Sequence, residues 1–171
     1  MSVSTVPVLI DGSSSLPHFR VGDEVAWQLF WSARVCGWHE FMAPAWRPVV
    51  EQRGALGVSG NLSVEIYTGQ DSMPDGASLE LSGPLLLTDR RSGPATTGTV
   101  TRIRLITCMI GDPGTVTDGW IVPVPLPETA VFEELEESVD ELVVEELDHA
   151  VWSYRVQLLL VELLVDSAPS P

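Results

Sequence analysis

The sequence predicts a mainly β fold, of the α+β type because one helix is expected late in the chain. Short extended segments bounded by glycine and proline dominate the first two thirds of the 171 residues. Residues 99–110 mix β-branched and apolar side chains on both faces, which is typical of a central strand. The apolar residues 151–165 predict a long closing strand. Many strands joined by glycine and proline turns favour a small β-barrel or a sandwich.

The earlier strands follow from alternation between apolar and polar residues. This pattern predicts strands at residues 6–10, 25–31, 61–68 and 78–87. The last of these is broken by Gly83-Pro84, and residues 89–97 are predicted to form an exposed loop. Prolines at positions 123, 125 and 127 prevent regular ladder pairing and predict an extended edge segment.

Residues 128–148 differ from the rest because they hold ten carboxylates and no basic side chain. The remaining chain holds 14 of the 24 acids and all nine arginines, so most of the negative excess is local. Apolar residues recur here at steps of three and four, which predicts an amphipathic helix; they are Phe132, Leu135, Val139, Leu142, Val143 and Leu147. Four like-charge pairs at i,i+4 oppose this helix, which must therefore dock on the fold to form.

Composition excludes several classes of function. The chain has no lysine, so neither a Walker-type phosphate loop nor Schiff-base chemistry is available. A net charge of −15 argues against nucleic-acid binding. The longest apolar run, residues 156–165, is too short to span a bilayer, and residues 1–10 show no secretory signal. A cytoplasmic protein is therefore predicted, with Cys36 and Cys108 as buried free thiols.

No catalytic or metal motif stands out. Cys36 and His39 have C-x-x-H spacing, but Cys108 and His149 lie forty residues apart and form a poor second pair for zinc. The chain lacks both the H-E-x-x-H and the G-x-S-x-G patterns. The sequence therefore predicts no metal site, no cofactor and no catalytic residue, and an enzyme is the less favoured class.

Tryptophans cluster between residues 27 and 46. Trp27 and Trp31 are expected in the core of one strand, whereas Trp38 and Trp46 are the better candidates for exposure and partner contact. Arg102 and Arg104 stand two apart on one strand face and are expected to neutralise part of the acidic segment.

Several short motifs resemble an uncharacterised family of small acidic bacterial proteins, a domain of unknown function. They are Val8-Leu9-Ile10-Asp11, Val21-Gly22-Asp23-Glu24-Val25-Ala26-Trp27, Gly98-Thr99-Val100 followed by Ile103-Arg104 and Cys108, Val122-Pro123-Val124-Pro125 and Trp152-Ser153-Tyr154. The segments at residues 21–25 and 98–100 also look like the starts of strands in SH3-like barrels. Residues 33–95 and the length of the acidic segment depart from the family pattern. The family has no assigned activity, so the resemblance implies no catalytic residues.

Taken together, these patterns predict one β-rich domain over residues 1–166, with 33–95 as an insertion or second sheet and 167–171 as a disordered tail. The favoured function is a non-catalytic, soluble interaction or regulatory module whose acidic face binds a basic protein partner, not nucleic acid or membrane. The predicted contact residues are seven acids and two tryptophans: Glu133, Glu134, Glu136, Glu137, Asp140, Glu141, Glu145, Trp38 and Trp46.

Two alternatives remain open, and the sequence leaves the oligomeric state undetermined. One is a small enzyme or ligand-binding protein with a tryptophan-rich pocket lined by Trp38, His39, Glu40 and Arg47. The other is a structural component of a phage or cell-surface assembly.

Overall fold

Most of the described chain belongs to a single sheet. The computed structural model describes residues 3–12, 15–67, 73–88, 93–112, 116–117, 120–121, 123–150 and 152–166. Within these ranges thirteen strands form one large open sheet, and β-structure far exceeds helix. The mainly β prediction is confirmed. The SH3-like barrel is not confirmed, because the sheet is not closed.

The described part of the first half of the chain contains eight strands, one short α-helix and one 3-10 helix. In chain order they are β1 (Val3–Ile10), β2 (Glu24–Trp27), β3 (Leu29–Ser32), α1 (Ala33–Trp38), the 3-10 helix (Glu40–Met42), β4 (Val49–Arg53), β5 (Leu56–Ser59), β6 (Leu62–Tyr67), β7 (Ser78–Glu80) and β8 (Leu85–Leu87).

The described part of the second half adds seven strands and a second 3-10 helix. They are β9 (Thr96–Gly111), β10 (Val116–Thr117), β11 (Trp120–Ile121), β12 (Val124–Pro125), the 3-10 helix (Pro127–Thr129), β13 (Val131–Leu135), β14 (Val144–Asp148) and β15 (Ser153–Asp166). Among the described residues, strands β10 and β11 pair only with each other.

Two long antiparallel strands, β9 and β15, organise the sheet. The other edge of β9 is shared by three short strands, β2, β13 and β12, which pair with successive parts of it. The other edge of β15 is shared by β14 and β1. Beyond β1 the order continues through β8, β3, β6, β5 and β4 to β7. Strands from the predicted insertion thus extend the same sheet, although the domain division itself stays a prediction and residues 167–171 lie outside the described part.

Apolar side chains are buried on both faces of the central strands. On one face Val6, Val8 and Ile10 of β1 lie opposite Leu163, Val161 and Leu159 of β15, within the larger core cluster. On the other face Leu9 joins a smaller cluster with Met42 and Ile106. Burial on both faces explains why these strands carry nearly continuous apolar runs.

The sequence located several strands correctly and missed others. Residues 25–31, predicted as one strand, form β2 and β3, which pair with different neighbours, and β4, β5, β13 and β14 were not predicted. The alternating residues Leu62, Val64 and Ile66 are buried in β6. Gly83-Pro84 separates β7 from β8, as the breaker pattern predicts. Val124–Pro125 forms a short edge strand against β9. Residues 93–95 precede β9 without regular structure, whereas residues 89–92 of the predicted loop lie outside the described part.

The predicted late helix is wrong. Residues 128–148 instead form the end of a 3-10 helix, β13, an irregular crossing segment at residues 136–143, and β14. Strand pairing places Glu134 opposite Arg104 and Glu145 opposite Arg155, so carboxylates meet arginines. A helix would instead have stacked the four like-charge pairs along its surface.

The crossing segment explains the misleading apolar spacing. Leu135 at the end of β13 and Val139 and Leu142 of the crossing segment pack against the larger core cluster without any helical turn between them. Hydrogen bonds at Ser138 attach the crossing segment to the loop that contains Phe19. The Ser138 backbone N–H donates to the Phe19 carbonyl at 2.8 Å. The Phe19 N–H in turn donates to the Ser138 hydroxyl oxygen at 3.1 Å. Only three of the six apolar residues that predicted a helix stripe therefore cover the core.

Candidate functional site

An exposed acidic ribbon crosses from one edge of the central strands to the other. We call β13, the crossing segment 136–143 and β14 the acidic surface. The seven carboxylates predicted to contact a partner all lie on it and are all exposed; they are Glu133, Glu134, Glu136, Glu137, Asp140, Glu141 and Glu145. The structure therefore brings these seven side chains onto one continuous segment, although as strand and strap and not as a helix.

Three of these carboxylates are paired within the chain. Glu137 meets Arg20 at 3.0 Å, Glu145 meets Arg155 at 2.9 Å, and Glu134 receives hydrogen bonds from Arg102. Pairs this exposed contribute little to stability, but they neutralise three of the seven carboxylates.

Arg102 neutralises part of the acidic segment, as the sequence predicts, whereas Arg104 forms its ion pair with Glu162 of β15, outside that segment. The Arg102 guanidinium donates to Glu134 and also reaches Glu162 at 3.5 Å. Its hydrogen bonds hold the pKa of the Glu134 carboxyl below its usual range, and Glu134 raises the pKa of Arg102 in return. Arg104 bonds Glu162 at 3.0 Å and lies over the Phe132 ring at 5.7 Å.

Four of the predicted carboxylates have no ion pair anywhere in the described part of the chain: Glu133, Glu136, Asp140 and Glu141. They share the acidic surface with exposed apolar side chains. Val143 is 54%, Val144 62% and Leu147 39% exposed. The surface therefore combines uncompensated negative charge with apolar area that contacts water.

Trp152 is a surface residue that the sequence did not single out. It follows the β14 edge, immediately before β15, and is 58% exposed. Its backbone has φ of 52°, a left-handed conformation that bulky residues rarely adopt. Its ring stacks on His149 at 6.1 Å between centroids. This turn conformation holds an indole ring outward beside β14, whereas the sequence includes Trp152 in the closing strand predicted at residues 151–165.

The four clustered tryptophans divide as predicted between core and periphery. Trp27 and Trp31 are 8% and 4% exposed and belong to the larger core cluster. Trp38 is half-buried at the end of α1, where the Arg34 guanidinium lies 5.6 Å from its ring. Trp46 is also half-buried, and one part of it packs against the core.

Trp46 also lines a pocket of about 420 Å³ between the 3-10 segment and the outer face of the sheet. Its lining combines apolar residues with one charged pair: Thr5, Pro7, Met42, Ala43, Pro44, Ala45, Trp46, Arg104 and Glu162. Of the pocket residues expected from sequence, Trp38, His39, Glu40 and Arg47 do not line it. Arg47 pairs with Glu40, and His39 bonds the Val35 carbonyl at 2.9 Å.

The residues considered for zinc lie apart. Cys36 belongs to the larger core cluster and Cys108 to the smaller one, while His149 is exposed beside Trp152. The described residues contain no group of three potential metal ligands. Both thiols are free and buried, which confirms that prediction. Burial raises the pKa of Cys36 to about 11 and raises that of Cys108, so neither suits nucleophilic chemistry.

The fold and these two surfaces define a mainly β protein with an acidic ribbon beside a small mixed pocket. Comparison with known protein families, curated proteins and solved structures finds no match. The resemblance to an uncharacterised acidic family therefore stays a prediction. None of the helices in the described ranges is long and apolar enough to cross a membrane.

Proposed function

We propose that the protein is a non-catalytic interaction or regulatory module that binds a basic protein partner through the acidic surface. One observation carries the proposal: carboxylates without an internal ion pair lie on the same exposed ribbon as Val143, Val144 and Leu147. A surface that served only solubility would gain nothing from exposed apolar side chains among its charges.

Charge and apolar area have different roles in such an interface. Long-range attraction between exposed charges is screened beyond roughly 8 Å at physiological salt, so the acids mainly accelerate encounter and select basic partners. Persistent contact requires desolvated anchors, for which tryptophan is a preferred residue. Trp152, exposed next to β14, supplies such an anchor beside the apolar residues of the ribbon.

The sign of the charge specifies the partner class. A negative ribbon on a chain of net charge −15 repels phosphate backbones and anionic lipid surfaces, and it attracts arginine- or lysine-rich proteins. Two free, buried cysteines fit a reducing compartment, which supports a cytoplasmic location.

The test compares two variants of equal net charge. The surface variant converts three unpaired acids of the ribbon to amides: Glu133→Gln, Glu136→Gln and Glu141→Gln. The control variant removes three exposed or half-exposed acids from β6, β7 and the end of β15: Glu65→Gln, Glu80→Gln and Asp166→Asn. Each changes the net charge from −15 to −12, since each removes three negative charges.

Each protein is immobilised and exposed to a lysate of the organism that encodes it, at low and at physiological salt. We expect the wild type and the control variant to retain a set of basic proteins that the surface variant does not retain. Trp152→Ala should reduce the same interaction, most visibly at physiological salt, where charge contributes least. Equal loss from both triple variants, or recovered proteins no more basic than the lysate average, would contradict a specific acidic interface.

A further inference from the structure

The pocket beneath Trp46 holds a charged pair that is only partly satisfied. Arg104 Nη2 donates to Glu162 Oε1 at 3.0 Å, and Arg102 Nη1 approaches the same oxygen at 3.5 Å. Two arginines therefore converge on one carboxylate oxygen. The second oxygen, Glu162 Oε2, accepts no hydrogen bond from any described residue.

Arg104 brings unused donors to the same place. Its Nε is buried without an acceptor, and its Nη1 also has none in the described part of the chain. The side chain is 18% exposed, so bulk water reaches little of it. Buried donors without acceptors are rare in folded proteins, and an arginine offers five N–H groups in a fixed plane. The buried donor without an acceptor is Nε, which has almost no accessible surface. An acceptor in the pocket would bond instead to Nη1, which is not buried in this way.

The walls of the pocket are apolar and held in place. Trp46 packs against the core on one side and faces the pocket on the other. Met42 is 4% exposed and anchored in the smaller core cluster, and Pro7 is fixed within β1. A volume of about 420 Å³ lies in the lower part of the range of roughly 300 to 1,000 Å³ that small-molecule sites occupy. One aromatic ring with a short substituent fits within this volume and leaves part of it for solvent or for the rest of a larger molecule.

The charge balance at the polar end selects a neutral ligand. Arg102 and Arg104 are matched by Glu134 and Glu162, so the cluster has no net charge to attract an anion or a cation. What it lacks is one acceptor opposite Arg104 and one donor opposite Glu162. A hydroxyl group supplies both, because it accepts at its oxygen and donates its proton.

We propose that this pocket binds a phenol ring, with the ring against Trp46 and the hydroxyl between Arg104 and Glu162. A free phenol and the side chain of a tyrosine share this chemistry. None of the residues that line the pocket belongs to the acidic surface, although Glu134 of that surface pairs with Arg102 next to the pocket. Ligand binding in the pocket can therefore be tested whether or not the ribbon binds a basic protein.

The probe is p-cresol, the side chain of tyrosine as a free molecule. Binding is followed by the chemical shift of the Trp46 indole N–H, assigned with Trp46→Phe. Toluene serves as the matched control because it lacks only the hydroxyl, and 4-methylbenzoate replaces the hydroxyl with a carboxylate. We expect p-cresol to bind roughly tenfold or more tightly than either, as hydrogen bonds to charged groups predict.

Glu162→Gln should reduce the preference for p-cresol over toluene, whereas Trp38→Phe, outside the pocket, should leave it unchanged. N-acetyl-tyrosinamide separates the two sources. Comparable binding of this amide would indicate a peptide-borne tyrosine, and its exclusion would indicate a free phenol. Three results would each overturn the proposal: equal affinity for toluene and p-cresol, tighter binding of 4-methylbenzoate than of p-cresol, or no shift of the Trp46 signal with any probe. All three are measured on the wild type, so they do not depend on how well the variants fold.

Discussion

Replacing Gly83 by alanine should be among the most destabilising single-methyl changes in the described part of the chain. Gly83 lies between β7 and β8 with φ of +73°, a conformation that favours glycine. An added Cβ would lie 2.8 Å from the carbonyl carbon of Cys36 and closer still to its oxygen, whereas real Cβ atoms essentially never come within 3.0 Å. The obstacle is backbone and cannot rotate away.

Three terms set the size of the effect. The left-handed backbone costs an alanine about 1 to 2 kcal/mol. Forcing a methyl group into filled space adds about 1 to 3 kcal/mol. Displacing the Cys36 carbonyl also weakens the hydrogen bond that it accepts from the His39 N–H at 3.1 Å, about 1 kcal/mol more. The free energy of unfolding should therefore fall by about 3 to 6 kcal/mol.

Gly76→Ala is the matched control. Gly76 has φ of +83°, but an added Cβ there meets no heavy atom within 4 Å. Only the backbone term of about 1 to 2 kcal/mol then applies. Urea unfolding followed by tryptophan fluorescence gives both values, and thermal midpoints should drop by roughly 6 to 24 °C for Gly83→Ala against 2 to 8 °C for the control. Equal losses in the two variants would show that the link between β7 and β8 does not press on α1 as the structure describes.

Three further predictions concern a thiol, a buried hydroxyl and an ion pair. Cys36, with its pKa raised to about 11, should react with a disulfide reagent at pH 8 far more slowly in the native protein than in urea; equal rates would contradict its burial. Thr96→Val should lower the free energy of unfolding by about 1 to 3 kcal/mol, because the buried hydroxyl accepts from the Ser63 N–H and donates to the Ser63 carbonyl; an unchanged urea midpoint would refute this. The hydrogen bonds from Arg102 lower the pKa of Glu134 below its usual value, so the stabilising effect of this pair is present above the usual value and is lost as pH falls through the lowered one. The Arg102→Gln variant should therefore have a lower thermal midpoint than the wild type near neutral pH, and this difference should shrink as the pH is lowered. A difference that does not change with pH would contradict this linkage.

The sequence predicts the strands well because their periodicity directly reflects which side chains are buried. Leu62, Val64 and Ile66 needed only alternation to be placed in the core. The pairing of Arg102 with acids was also foreseeable, since two arginines on one strand face require compensation in so acidic a chain. Helical spacing at Leu135, Val139 and Leu142 was misleading because an irregular strap can present the same residues to the core.

The pocket lay beyond sequence reasoning for a different reason. Trp46, Arg104 and Glu162 come together only through the pairing of β9 with β15 and the docking of the 3-10 segment on the outer face. No local pattern encodes that meeting. The exposure of Trp152 likewise depends on one left-handed backbone conformation that an apolar pattern does not reveal.

The pairing of β1 with β15 has a consequence for how the protein acquires its structure. Val3 lies opposite Asp166, so the first described strand is flanked on one side by the last. During synthesis β1 emerges long before β15, and its apolar residues must wait for that partner. Contacts of such large sequence separation make folding slow, in the range of roughly milliseconds to seconds. The acidic ribbon is translated just ahead of β15, while β1 still lacks its partner strand. The negative charge of the ribbon then repels neighbouring chains and opposes aggregation through the exposed apolar residues of β1.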